Sequence, residues 1–210
     1  MRAGPIQGLG LMKLGFLASK NGSNMQAILD ACADGRIPAS PSLLVCNNPS
    51  AFATTRARES GLDVEILNGK LHPDPDDLDT SIRDTLLAYK IDLVVLAGYM
   101  KRIGPRTLST FANRILNIHP SLLPKFGGKG MYGLRVHEAV IRSGEIETGA
   151  TVHLINENYD EGPILQQQSI LVHSHDTAES LQERTLELEH SLYLDTVSRI
   201  AKGEIVLPSD

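Results

Sequence analysis

The 210-residue sequence lacks several features that would assign its class at once. It has no apolar run approaching the roughly 18 residues of a membrane-spanning helix, so no membrane partner is expected. It has no excess of positive charge. The formal net charge is −5, whereas broad contact with nucleic acid needs a basic face to neutralise phosphates. No nucleic-acid partner is therefore expected, although a local cationic pocket for one small anion stays open. Cysteine is scarce: Cys32 and Cys46 have neither C-x-x-C spacing nor clustered histidines beside them. They read as reduced thiols in or near the core of a cytoplasmic protein, not as a disulfide or a zinc pair. His173 and His175 flank Ser174 with no third ligand near, so no metal is expected.

The loop after the first expected strand, Ser19–Asn24, is neither G-x-G-x-x-G nor a P-loop, so neither a dinucleotide nor ATP is indicated there. Neither cysteine nor any serine stands in a nucleophile-elbow context such as G-x-S-x-G. Internal repeats and low-complexity linkers are absent as well. Residues 1–11, MRAGPIQGLGL, have no long apolar stretch and no Arg/Ser-rich amphipathic pattern, so they read as a leader without a targeting signal. Folded patterning begins near Met12, which could be an alternative start.

Hydrophobic residues make up 41% and charged residues 21% of the chain, an ordinary balance for a globular domain. A domain of this size buries roughly 70% of the surface its unfolded chain exposes and needs no staple. Apolar runs alternate with helical periodicity. Strands are expected at 14–18, 42–46, 63–67, 92–97, 114–118, 148–155 and 164–172, with helices at 25–33, 51–59, 78–89, 107–112, 134–143 and 177–201. Glu204–Leu207 is expected to add one more strand. The βαβα order predicts a single α/β domain over 12–210, a Rossmann-like, mostly parallel twisted sheet with helices on both faces. An N-terminal nucleotide-type half would run to about residue 112, and a half completing a cleft would start at about 113.

Three segments fall just past strand ends, where open α/β sheets bind ligands. In Ser19-Lys-Asn-Gly-Ser-Asn24, Gly22 permits a tight turn, and the helix start offers N–H groups to an anion. The same Ser and Asn suit plain helix capping. In Leu116-Asn-Ile-His-Pro120, residues i and i+2 of a strand share a face, so Asn117 and His119 project together. An amide beside an imidazole suits stabilisation of an oxyanion and proton movement near neutral pH. A hydrogen-bonded structural pair at a strand terminus fits equally well. Asn156–Pro163 is an acidic loop; a carboxylate there could favour an imidazolium, or the loop could simply be solvated. His153, mid-strand, reads as a hydrogen-bonded interior residue, and Lys129 and Arg135 as surface residues.

Taken together, Asn-x-His-Pro-Ser-Leu-Leu-Pro and the later Tyr-Asp-x-Gly-Pro resemble the catalytic domain of formyltransferases that use 10-formyltetrahydrofolate. The resemblance runs from about Met12 to Gly203. The Ser19–Ile28 segment is similar to the phosphate-binding loop of the branch that formylates 5'-phosphoribosylglycinamide. The resemblance implies Asn117, His119 and Asp160 as catalytic residues. It implies Asn21, Gly22, Ser23 and Asn24 around the ribose phosphate and Glu189 at the glycinamide. Met100, Lys101, Arg102 and Ile103 would line the folate pocket, together with Asn117 and with Asn156, Glu157, Asn158, Tyr159 and Asp160. The expected partners are these two small molecules, with 10-formyltetrahydrofolate as co-substrate, for a monomer or homodimer. A formyltetrahydrofolate deformylase and a non-enzymatic sugar-phosphate-binding domain remain alternatives.

Overall fold

Continuous apolar runs become the inner strands because both of their faces are covered. In β1 (Met12–Ala18), Leu14, Phe16 and Ala18 enter one apolar cluster while Leu17 enters another. The same alternation divides β2 (Ala39–Cys46) and β4 (Leu93–Leu96). Helices α1 (Ser23–Ala33), α2 (Phe52–Glu59) and α6 (Ala178–Ala201) supply side chains to the first cluster, and α3 (Pro75–Ala88) to the second. The computed structural model describes residues 10–208, so most of the leader assigned to 1–11 lies outside the described residues.

Among those residues the sheet has seven strands in the order β3-β2-β1-β4-β5-β6-β7, with β3 at Asp63–Ile66, β5 at Ile115–His119, β6 at Glu147–Leu154 and β7 at Ile164–Leu171. The first five are parallel, and β6 and β7 add antiparallel edges. Strand order reverses beside β1, which pairs with β2 on one side and β4 on the other. A crevice opens at the carboxyl ends of strands flanking such a reversal. The Ser19–Asn24 loop leaves β1 there, and residues 97–104 leave β4. The remaining helices are α4 (Pro105–Thr110) and α5 (Leu134–Ser143).

The expected Rossmann-like α/β fold is thus present, with small shifts at its joints. Helix α1 begins at Ser23, ahead of its apolar stripe, and α3 begins at Pro75 because Asp74 caps it by accepting from the Asp76 amide. One expectation fails: Glu204–Leu207 forms no strand. The amides of Glu204 and Ile205 donate back to the Arg199 carbonyl at the end of α6. The chain is turned onto its own helix, and Ile205 and Leu207 pack against the core without pairing.

Residues 97–104 are tied to the fold through Asp79 on α3. Its buried carboxylate accepts from the amides of Arg106 and Thr107 and from the Thr107 hydroxyl at 2.6–3.1 Å. Helix α4 has no side-chain acceptor at its own N-cap, Gly104, so Asp79 serves that end from outside. Replacing Asp79 by alanine leaves the Arg106 and Thr107 amides without their acceptor and the Thr107 hydroxyl with only the backbone carbonyl of position 79, at 3.2 Å. The Asp79→Ala variant should lose about 2–4 kcal/mol of stability in urea unfolding. A loss below about 0.5 kcal/mol, the usual surface range, would show that α4 holds without it.

Candidate active site

The loop after β1 is shaped by Gly22, which serves as the N-cap of α1 with φ 69° and makes no side-chain capping bond. A Cβ added at Gly22 would meet the Ala53 Cβ at 2.8 Å, so the turn needs glycine for both conformation and room. Ser23 and Asn24 therefore lie inside the helix and do not cap it. An uncapped helix start presents N–H groups and the positive end of the dipole. Arg56 on α2 steadies the loop, donating from Nε to the Asn21 carbonyl at 3.1 Å. Asn24 is buried, donates to Glu189 Oε2 at 3.1 Å, and leaves its own Oδ1 without a partner among the described residues.

At the end of β5, Leu116 and Ile118 enter the first core cluster, so Asn117 and His119 point to the opposite face. The antiparallel register sets Asn117 against His153 and His119 against Thr151. His153 donates from Nδ1 to the Leu154 carbonyl at 2.9 Å, which leaves Nε2 to accept from Asn117 Nδ2 at 3.1 Å. Burial pushes the His153 ring down in pKa, in keeping with this neutral tautomer. The pairing orients the Asn117 amide with its NH₂ toward His153, and the second N–H stays available.

His119 donates from Nε2 to the Phe126 carbonyl at 2.8 Å, and its Nδ1 lies 3.5 Å from Asp160 Oδ2. Asp160 reaches this position with φ 58°, in the left-handed region. Its Oδ2 accepts from the Gly128 amide at 2.8 Å, and its Oδ1 lies 3.6 Å from His153 Nε2. Asn117, His119 and Asp160 are therefore one cluster, with His153 as its fourth member. The loop between β5 and α5 is held from behind by Thr151, whose hydroxyl donates to the Ser121 carbonyl at 2.6 Å and accepts from the Leu123 amide.

A cleft of about 960 Å³ runs over this cluster. It is lined by residues 20–24, 96–103, 117–120, 128–133 and 155–160, and by Glu189. Every residue that the family resemblance singled out borders this one cleft. Two walls are bridged where Arg102 Nη2 donates to the Glu157 carbonyl at 2.8 Å, and the Met100 amide donates to Ser19 Oγ at 2.8 Å. Lys129 and Arg135 also border the cleft, with the Arg135 guanidinium over the Tyr132 ring. Sequence reasoning passed over His137 on α5. Burial, aided by the charge of nearby His119, brings it down to about 4, leaving it uncharged at neutral pH. It also treated His153 apart from Asn117, because their contact depends on a β5–β6 register that residue spacing does not reveal. Burial raises Cys32 to about 11 and lifts Cys46 as well, so neither offers a thiolate near neutral pH.

A strand-end amide, an imidazole facing a carboxylate and an uncapped helix start in one cleft agree with the family comparison. Formyl transferase is the family that matches residues 12–197, and the chain belongs to it. Similar proteins include phosphoribosylglycinamide formyltransferases. Chloroplastic phosphoribosylglycinamide formyltransferase of Arabidopsis thaliana is 42% identical over 194 residues, 92% of this chain. The Haemophilus influenzae phosphoribosylglycinamide formyltransferase is 36% identical over 197 residues, 94% of this chain and 91% of that protein. The solved glycinamide ribonucleotide transformylase 1 of Symbiobacterium toebii superposes with a TM-score of 0.88 at 36% identity, covering 99% of this chain and 95% of that one. The chain spans 66% of the Arabidopsis protein's length and 64% of its Vigna unguiculata counterpart's. No helix among the described residues is long and apolar enough to cross a membrane.

Glu189 gives this site a pH signature. Burial raises its carboxyl to about 7, against which the Asn24 hydrogen bond works only partly. The folded-state value exceeds the ordinary 4.5, so the folded protein binds this proton more tightly than the unfolded chain does. Stability from this group therefore falls as pH rises from about 4.5 to about 7 and is level beyond. The Glu189→Gln variant keeps an acceptor for Asn24 and removes the titration. Its melting temperature should gain on the wild type across that window, and a pH-independent difference would contradict the assignment.

Proposed function

We propose that the chain transfers the formyl group of 10-formyltetrahydrofolate to the primary amine of 5'-phosphoribosylglycinamide, a step of purine biosynthesis. The observation that carries this reading is the single cleft in which Asn117, His119 and Asp160 meet the uncapped start of α1. Its support in kind is the similarity to phosphoribosylglycinamide formyltransferases along nearly the whole chain.

In this reading the acceptor's phosphate lies on Asn21, Gly22, Ser23 and Asn24 at the positive end of α1, with its glycinamide toward Glu189. The donor lies between Met100, Lys101, Arg102 and Ile103 on one wall and Asn156, Glu157, Asn158, Tyr159 and Asp160 on the other. The neutral amine attacks the formyl carbon directly. A bond forms between amine nitrogen and formyl carbon, and the bond from that carbon to N10 breaks. The amine loses one proton and N10 gains one. Negative charge gathers on the formyl oxygen, where the free N–H of Asn117 donates. His153 keeps that N–H aimed by holding the other. His119, its Nε2–H turned from the Phe126 carbonyl to the substrate, stabilises the same charge and supplies the proton to N10, with Asp160 3.5 Å from Nδ1. No covalent enzyme intermediate is needed.

Loss of one oxyanion donor typically costs about 100- to 1000-fold in rate. Asn117→Ala and His119→Ala should each lower kcat by about that factor while both KM values change much less. Steady-state assays of formyl transfer with the two substrates check this, and undiminished turnover in both variants would sink the assignment. Formate released without phosphoribosylglycinamide would indicate a deformylase. Sugar-phosphate binding with no folate binding in calorimetry would indicate a non-enzymatic module.

A further inference from the structure

We propose that Tyr193 is a positioning residue for formyl transfer, its hydroxyl setting the spacing between the Asn117 strand end and the wall formed by residues 97–103; the inference rests on the function proposed above. Tyr193 lies on α6 and is fully buried. Its hydroxyl stands 3.1 Å from the Leu96 carbonyl and 3.0 Å from the Leu116 carbonyl. The first belongs to the peptide bond leading into Ala97, where the 97–103 wall begins. The second belongs to the peptide bond leading into Asn117.

The hydroxyl acts at the last rung of the β4–β5 ladder and just beyond it. Strands β4 and β5 are paired at Val94–Ile115 and at Val95–Leu116, and no further pair follows. Past that point the two strands supply different parts of the cleft. The Tyr193 hydroxyl spans the next position, one proton shared between two carbonyls. Burial holds its phenol far above the ordinary range, so this donor persists at every working pH. One turn earlier on the same helix, Glu189 meets Asn24 in the first turn of α1, next to the loop after β1. A single face of α6 therefore references three parts of the cleft to one another: the loop after β1, the wall after β4 and the end of β5.

Such a tie acts on turnover more than on binding. It touches neither reactant, but it fixes the separation between the donor-side wall and the Asn117 amide. A misplacement of about 1 Å by a change away from the chemistry can cost about 100-fold in rate. Removal of the hydroxyl keeps the ring's packing and deletes the tie between the Leu116 carbonyl, on the last pair, and the Leu96 carbonyl just past it.

The test compares Tyr193→Phe with Thr185→Val in formyl-transfer kinetics and thermal melting. Thr185 is equally buried on α6, but its hydroxyl bonds only to the Leu181 carbonyl of its own helix. Tyr193→Phe should lower kcat about 10- to 100-fold with both KM values within about 3-fold of wild type. Thr185→Val should keep kcat within about 2-fold whatever its loss in melting temperature. Should Tyr193→Phe fold poorly, 4-aminophenylalanine and 4-fluorophenylalanine at position 193 replace it. The amino group keeps a donor and fluorine keeps only the volume, so the first should retain turnover and the second should not. The inference is overturned by a Tyr193→Phe kcat within about 2-fold of wild type, by an equal loss in Thr185→Val, or by equal turnover with the two analogues. A wild type that transfers no formyl group overturns the proposed function and this inference together, whereas an active wild type isolates the role of Tyr193.

Discussion

The antiparallel register of β5 on β6 is the constraint on which the site depends. It sets Asn117 opposite His153 and His119 opposite Thr151, on the face turned away from Leu116 and Ile118. A slip of one residue would exchange the two faces. Asn117 and His119 would then be driven into the cluster beneath α6, and two large aliphatic side chains would face the cleft. Apolar packing of Leu116, Ile118, Ala150, Val152 and Leu154 on one side of the sheet thus secures polar chemistry on the other. The hydrophobic core determines which way the amide and the imidazole point.

Parts of this arrangement were legible in the residues alone. The alternation of β1, β2 and β4 between two apolar clusters follows from mostly apolar runs, which read as strands. The i, i+2 spacing of Asn117 and His119 implied a shared face, and they have one. Their meeting with Asp160 was not legible from spacing, because it depends on non-local geometry. Asp160 takes a left-handed backbone conformation, and the Gly128 amide comes from a different loop to hold its carboxylate. The pairing of His153 with Asn117 required the sheet register, and the role of the Tyr193 hydroxyl required knowing where the β4–β5 ladder stops. The short apolar run at Glu204–Leu207 misled, since an extended segment can pack one side on a core without pairing in the sheet. Here the backbone had already been returned to the end of α6.

Charge is arranged against the chain's overall balance. The net charge is −5, yet Lys20, Lys101, Arg102, Lys129 and Arg135 all border the cleft. Low dielectric and limited hydration in a cleft strengthen their field on an anion. Glu157, Asp160, Glu183 and Glu189 border it as well, with Asp160 and Glu189 engaged by named donors.

The contact between Gly22 and Ala53 constrains how this loop can change over generations. Any side chain at position 22 meets the Ala53 methyl and must also accept a left-handed backbone. Asparagine tolerates that conformation, but glycine at 53 would remove the 2.8 Å contact and still leave the Cα of that position at 3.2 Å. Each replacement made alone carries a penalty, strain at one site or lost helix propensity at the other. The two positions therefore form an epistatic pair. A lineage, or a mutational library, that explores one substitution at a time will find this loop closed to variation at position 22.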